Sequence, residues 1–394
     1  GIGDVKYKGD RREYHVDTRH PFVCIEADKC ITCGSCVRVC SEVRNISALS
    51  FVNRGFSTKV APNFEDPLQN TDCDACGMCI DLCPTGALAE NTGKEYGPWL
   101  TDTVVSTCTS CQRGCALKVH TKEGLITKIE SVDGDPVNNA LICREGRFSN
   151  QLLDKGIKLD DDQLKEQMNR ARGLLDKAGK LAVIVSPRLT IETKKKKKKL
   201  CDERKGTLYY LPGKKTEKNK FPYAKLQNSA NAAILRKLGA KAWDGAEADC
   251  IVLVGVSLEN KPRESTRVIS MSNYKYGVEA DVQIPLADPL RIEGAVITDE
   301  GFLAFLKTNL PVGKDLTPHS LLAGLGGLND FSDITSIRKQ LAKSIPDLNG
   351  ILNSDTERLV KTSLEPEIVD VAPDCREVAF KEYCESKGLY PNII

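Results

Sequence analysis

The chain has 394 residues, enough for two or three domains of ordinary size. A formal net charge of +2 gives no argument for nucleic acid, no apolar run approaches the ~18 residues of a membrane span, and the opening GIGDVKYKGD has no signal-peptide core. The outlier is cysteine: there are 17, of which 13 precede residue 150. A disulfide framework that dense belongs to short secreted chains, so in a long chain expected in the cytoplasm these thiols are read as metal ligands.

Residues 1–29 read as an extended N-terminal segment, and residues 30–95 as the first cysteine-bearing domain. Within it, CITCGSCVRVC places Cys30, Cys33, Cys36 and Cys40 at x2, x2 and x3 spacings, and CDACGMCIDLCPTGAL places Cys73, Cys76, Cys79 and Cys83 at the same spacings, followed by Pro84. This is the bacterial ferredoxin run, in which three cysteines hold one [4Fe–4S] cluster and the fourth ligates the other. The reading assigns Cys30, Cys33, Cys36 and Cys83 to a first cluster, and Cys73, Cys76, Cys79 and Cys40 to a second. The x2 gaps let a tight loop wrap three thiolates on one side of a cube. The x3 gap is one helical turn and swings the fourth cysteine toward the neighbouring cube. Gly34 and Gly77 permit close approach of the loops, and Pro84 ends the turn. A zinc ribbon, the competing reading, calls for two CxxC pairs and not a four-cysteine run. The 32 residues from Ser41 to Asp72 include SALSFVNRGFSTKVAP, whose alternation predicts a hairpin covering one cluster.

Residues 96–149 form a small β-rich segment with a third set, Cys108, Cys111, Cys115 and the distant Cys143. Three close ligands and one remote ligand fit a third [4Fe–4S] cluster, although zinc competes more closely here because x2 and x3 spacings are less exclusive. ALKVHTKEGLITKIESVDGDPVN predicts two strands joined at Glu123-Gly124, which would return Cys143 to the loop.

Residues 150–366 alternate helix and strand, which predicts a layered α/β sheet. QLKEQMNRARGLLDKAG is an amphipathic helix with Leu164, Met168, Ala171, Leu174 and Leu175 on its apolar face, ended by Gly179. The strands LAVIVSP, TLYYLP and CIVLVGV follow. The six lysines at 194–199 read as a solvated run, with an acidic ferredoxin as the partner such charge would steer. Residues 367–394 form a C-terminal tail in which Cys375 and Cys384 read as surface or packing cysteines. His15, His120 and His319 carry no motif. Neither a P-loop nor GxGxxG occurs, so no nucleotide site is expected on this chain.

DTRHPFVCIEADKCITCGSCVRVC and CDACGMCIDLCPTGAL resemble the double-cluster domain of three relatives. These are the large iron–sulfur subunit of complex I, NAD-linked formate dehydrogenase, and the electron-transfer subunit of multimeric bifurcating hydrogenases. The third cysteine set followed by REGRF resembles the N-terminal iron–sulfur segment of the molybdopterin oxidoreductase superfamily. The likeness is dense over residues 14–148. It continues more weakly through KLAVIVSPRLT, ADCIVLVGVSLENKPRES and ADVQIPLADPLRIEGAVITDEGFL, where Gly255, Glu293, Gly294, Glu300 and Gly301 stand at the family's own glycines and acids. The fold class implied is α+β and α/β: a two-[4Fe–4S] ferredoxin domain, a small β-rich [4Fe–4S] segment, and a reduced molybdopterin-oxidoreductase-like α/β domain.

The departures shape the functional expectation. The chain after Cys143 is shorter than a complete pterin-binding domain, and the family's Gly-Ser-Asn pattern appears as Gly255-Val256-Ser257. Of the candidate molybdenum or tungsten ligands, Cys201 follows the lysine run, and Cys250 opens an apolar strand and reads as structural. His20 and Cys24 echo the His-x3-Cys start of a further cluster in complex I relatives, but the ferredoxin runs claim the next cysteines, so His20 reads as structural. The stretch before Cys30 is too short for the [2Fe–2S] domain of many relatives.

The resemblance therefore implies an electron-transfer subunit of a multi-subunit NAD(P)H-linked oxidoreductase, with no catalytic site of its own and no molybdopterin. Three [4Fe–4S] clusters would relay single electrons. FMN and NAD(P) would sit on a flavin subunit, beside a thioredoxin-like [2Fe–2S] subunit. Ferredoxin, a hydrogenase or a formate dehydrogenase would be the further partner, and flavin-based electron bifurcation is compatible with this arrangement. The alternative is a catalytic molybdenum- or tungsten-pterin subunit such as formate dehydrogenase.

Overall fold

The computed structural model describes residues 9, 13–91, 100–111, 113–151, 156–212, 231–274, 277–310, 325, 333–353, 358–363 and 375–386, the last helix by its backbone alone over 375–380. His319 and the Cys375 side chain lie outside the described residues. The chain groups into two compact units. The first comprises Gly1–Tyr96, Leu141–Phe148 and Cys384–Ile393, and the second comprises Gly97–Ala140 and Ser149–Tyr383.

The first unit is built from short elements. In chain order these are β1 (Val23–Ile25), α1 (Ser35–Arg38), β2 (Ser50–Val52), β3 (Lys59–Ala61), α2 (Met78–Asp81), β4 (Leu88–Glu90) and α3 (Arg144–Phe148). β1 pairs antiparallel with β4, and β2 with β3, so the hairpin expected between the cysteine runs is present. Phe22 is fully buried and stacks on Phe148, with ring centroids 4.5 Å apart. His20 accepts through Nδ1 from the Phe22 and Val23 amides, at 3.2 and 3.0 Å. Burial, aided by the charge of Arg144, pushes its pKa down to about 4, so the imidazole is neutral at pH 7.

The second unit opens with an antiparallel sheet of β5 (Asp102–Thr107), β6 (Ala116–Lys122) and β7 (Leu125–Ser131). Glu123 and Gly124 link β6 to β7 with φ of +51° and +77°, as a two-residue hairpin turn with both central residues left-handed requires. The pattern predicted only β6 and β7. β5 carries hydroxyls at its buried end, and they are satisfied by a strand about 200 positions away: Thr107 Oγ1 donates to Phe305 O (2.8 Å), and Ser106 Oγ accepts from Lys307 N (3.1 Å).

The predicted amphipathic helix is α4 (Asp161–Lys177), started by a capping box between Asp160 and Gln163, with Leu164, Met168, Ala171 and Leu175 buried. Next come β8 (Leu181–Val185), α5 (Ile191–Glu203), β9 (Thr207–Tyr210), α6 (Asn231–Lys237), β10 (Lys241–Ala242), β11 (Cys250–Val254), β12 (Arg267–Met271) and β13 (Val282–Ile284). The six strands make one parallel sheet in the order β10-β9-β8-β11-β12-β13. Strands β8 and β11 are apolar throughout and wholly buried, as a parallel sheet covered on both faces demands. β14 (Gly294–Ile297), β15 (Phe302–Leu306) and β16 (Leu359–Lys361) form a second antiparallel sheet, and α7 (Ile334–Ser344) packs against the shared core.

The lysine run is not a solvated face. It forms the middle of α5, capped by Thr190, whose Oγ1 accepts from Thr193 N. Six residues cover about 1.7 turns of helix, so part of the run has to face inward. Lys194, Lys196 and Lys197 are at most 1% exposed, while Lys198 and Lys199 reach Asp202 and Glu203 one turn on.

Candidate functional site

The two ferredoxin-type runs fold alike. In the first, Thr32 has φ of +55° and Gly34 of +77°, and α1 begins immediately after. In the second, Ala75 has +57° and Gly77 +74°, and α2 begins immediately after. Alternating left-handed residues curl each loop into a nest that turns its amides toward one centre. Matching spacing therefore gives matching backbone.

Cys30, Cys33, Cys36 and Cys83 line one pocket, together with Ile25, Val60 from the β2–β3 hairpin, and Leu88. Amides already aim at its sulfurs: Thr32 N donates to Cys30 Sγ, and Leu88 N to Cys83 Sγ, both at 3.4 Å. Burial, then the neighbouring thiol of Cys30, pushes the Cys36 thiol up to about 11. Cys33 is exposed and held below its ordinary value by bonds from Ser35. For Cys83 burial works upward, but the Leu88 and Thr85 donors outweigh it and the thiol is lowered.

Cys73, Cys76, Cys79 and Cys40 are the second predicted set. Burial pushes Cys79 well above its ordinary value, and the further contributions come from Cys76, Cys73 and Cys40, then Cys36 of the first set. Cys40 Sγ accepts from Ala48 N at 3.3 Å. Cys73 is pushed up to about 11 by burial, with Arg144 and Arg44 pulling the other way. Cys76 is raised by burial against the pull of Arg44 and Arg147. Arg147 is fully buried. It donates from Nε to the Cys76 carbonyl at 3.0 Å and from Nη1 to Asp81 at 2.9 Å, with Glu90 3.8 Å away. A Cβ on Gly77 would stand 2.3 Å from Arg147 Nε. Arg44 pairs with Asp74, whose Oδ1 accepts from Cys76 N at 3.1 Å.

In the second unit Cys108, Cys111 and Cys115 lie together. Cys108 N donates to Cys115 O at 2.9 Å. Burial, then Cys108, pushes Cys111 up to about 12; burial, then Cys111 and Cys108, raises Cys115 well above its ordinary value. Arg358 braces this loop by donating to Gly114 O (3.2 Å) and Thr107 Oγ1 (3.3 Å) and by pairing with buried Asp135. Cys143, predicted as the fourth ligand, lies just before α3 in the first unit.

The remaining cysteines are packing residues where described. Cys201 and Cys250 lie in the apolar core, each pushed up to about 12 by burial. Cys250 also opens β11 at its amino end, whereas Gly255 follows the carboxyl end, the side on which open α/β sheets bind ligands. Cys24 is buried in β1, and Cys384 is buried with its thiol pushed up to about 12.

The spacing of the two ferredoxin-type sets is that of [4Fe–4S] runs. A cube takes one thiolate at each of four irons. The buried Nε of Arg144 has no hydrogen-bond partner, as suits a guanidinium whose counter-charge is a bound anion. Sequence reasoning missed the roles of Arg144 and Arg147 within REGRF, and it gave Arg44 and Arg358 none. Only the paired arginines beside Cys143 were a local signal.

Residues 20–89 match the NADH-quinone oxidoreductase subunit 3, ferredoxin-like domain, and residues 101–155 match the molybdopterin oxidoreductase Fe4S4 domain. An NADH-quinone oxidoreductase subunit of Rhizobium meliloti is 33% identical over 181 residues, 44% of this chain and 20% of that protein. The NADPH-Fe(3+) oxidoreductase subunit alpha of Geobacter sulfurreducens is 31% identical over 172 residues, 42% of this chain and 20% of that protein. The probable oxidoreductase YjgC of Bacillus subtilis is 26% identical over 322 residues, 66% of this chain and 32% of that protein. The chain thus resembles the iron–sulfur subunits of NADH- and NADPH-linked oxidoreductases, and it spans about a fifth of the length of the first two relatives. Among the described residues no helix is long and apolar enough to cross a membrane.

Proposed function

We propose that this chain, with a ferredoxin-like domain and an Fe4S4 domain, is the electron-relay part of a cytoplasmic, multi-subunit NAD(P)H-linked oxidoreductase. Cys30, Cys33, Cys36 and Cys83 hold one [4Fe–4S] cluster, Cys73, Cys76, Cys79 and Cys40 a second, and Cys108, Cys111, Cys115 and Cys143 a third. The observation that carries this reading is the pair of loops with the same backbone, together with the pocket that Cys83 lines beside Cys30, Cys33 and Cys36. Each bound cluster supplies one-electron storage at a potential set by burial and hydrogen bonds to sulfur. The protein's own residues supply those terms: amides at Cys30, Cys40 and Cys83, and arginines around Cys73 and Cys76.

Hydride chemistry belongs, on this reading, to a partner carrying FMN and NAD(P), with a thioredoxin-like [2Fe–2S] subunit beside it. The outgoing partner is ferredoxin, a hydrogenase or a formate dehydrogenase, in an assembly of the bifurcating kind. The chain holds no catalytic site and no molybdopterin. The test is metal analysis of anaerobically purified protein. About twelve irons per chain, with neither molybdenum nor tungsten, is the expected result; stoichiometric heavy metal would move the chemistry onto this chain. Cys40→Ser and Cys83→Ser are each expected to perturb one cluster, and a different one. Loss of the same signal in both variants would overturn the crossed assignment.

A further inference from the structure

The two ferredoxin-type sites share spacing and backbone but not surroundings. Arg44, Arg144 and Arg147 have side chains 10%, 5% and 0% exposed. They supply the strongest side-chain charges of positive sign acting on Cys73 and Cys76. At the first set burial, then Cys30, raises the Cys36 thiol, and the arginine that acts on Cys33, Arg38, is exposed. The arginines do have carboxylate partners: Asp74 for Arg44, Asp81 and Glu90 for Arg147, and Glu145, 3.8 Å away, for Arg144. These do not cancel them evenly. Glu145 is at the limit of ion-pair distance, and the Arg144 Nε is buried without a hydrogen-bond partner. Arg147 is locked by the Cys76 carbonyl and by the space that Gly77 leaves open.

We propose that Arg44, Arg144 and Arg147 are positioning residues that hold positive charge against the second cysteine set, so that the second site accepts an electron more readily than the first. The inference rests on the cluster reading above. Reduction adds one electron and one negative charge with no bond made or broken. A fixed, buried positive charge therefore favours the reduced form, and more so where water is excluded. The relay then has a built-in order within one ferredoxin-like unit, set by side chains that are not ligands.

The experiment is a redox-poised EPR titration of the full, iron-loaded chain, with Arg144→Gln and Arg144→Lys beside the parent. The second site's signal is identified as the one lost in Cys40→Ser, and the first site's as the one lost in Cys83→Ser. Arg144→Gln is expected to disfavour reduction of the second site about tenfold, which is 59 mV for one electron, with the first site's potential unmoved. Arg144→Lys is expected to restore most of that shift. An iron-replete Arg144→Gln protein with unmoved potentials overturns the proposal. So does an equal shift at both sites, or loss of second-site iron in both Arg144 variants. Parent protein that binds no iron would instead overturn the cluster reading beneath it.

Discussion

At the scale of single residues, the cysteine loops depend on backbone that L-residues rarely adopt. Gly77 (φ +74°) and Gly86 (φ +68°) share that demand but differ in surroundings. A Cβ at Gly77 would strike Arg147, whereas one at Gly86 meets nothing within 4 Å. Gly86→Ala is expected to cost roughly 1–2 kcal/mol for the left-handed backbone alone. Gly77→Ala should cost clearly more, because Arg147 has to leave Asp81 and the Cys76 carbonyl. Denaturant unfolding of the two iron-loaded variants checks this, and equal losses would contradict the tight seat of Arg147. The need for glycine here was legible from spacing. Its second role, making room for a guanidinium 70 positions away, was not, because no local pattern encodes that contact.

At the scale of elements, α5 places three lysines in the core of the second unit. Burial pushes Lys197 down to about 7 and Lys194 well below its ordinary value, with Glu192 opposing the latter. The unfolded chain keeps these groups protonated to near 10.5. Between pH 7 and 10.5 the unfolded state therefore binds more protons, and stability rises with pH. The cost is complete below pH 7 and fades as pH approaches 10.5. Lys197→Met should raise stability at pH 7 by a few kcal/mol, on the order of 2–5, and flatten the pH dependence. Equilibrium unfolding at pH 7 and 9 is the measurement, and an unchanged slope would show that Lys197 is not buried neutral. Charge runs are ordinarily solvated. Here the helix period and the apolar flanks Ile191, Leu200 and Cys201 place the segment against the core.

At the scale of the whole molecule, the units differ in what could hold them together. Strands β1–β4 of the first unit are three residues each, and its loops converge on thiols. The second unit has a six-stranded parallel sheet whose residues enter two apolar clusters, one of them running from Leu164 to Ile351. Removing iron by anaerobic chelation should therefore cost the first unit most of its amide protection while β8 and β11 keep theirs, since ligand binding to such a site is part of its folding free energy. Hydrogen exchange resolves the two units. Persistent protection across residues 22–90 would mean that the polypeptide alone maintains that fold.

By itself the sequence determined whatever local spacing encodes: the two loops that curl alike, the apolar face of α4, the apolar strands β8 and β11, and the Glu123-Gly124 turn. Each depends on residues within a few positions of one another, where steric limits and hydrogen-bond reach leave few options. Tertiary structure alone decided the rest. It buried the hydroxyls of β5 on β15, turned half a lysine run inward, and brought Arg147 to Asp81 and Cys76 across 66 and 71 positions. Those contacts form because buried charges and hydroxyls have to find partners wherever the fold provides them.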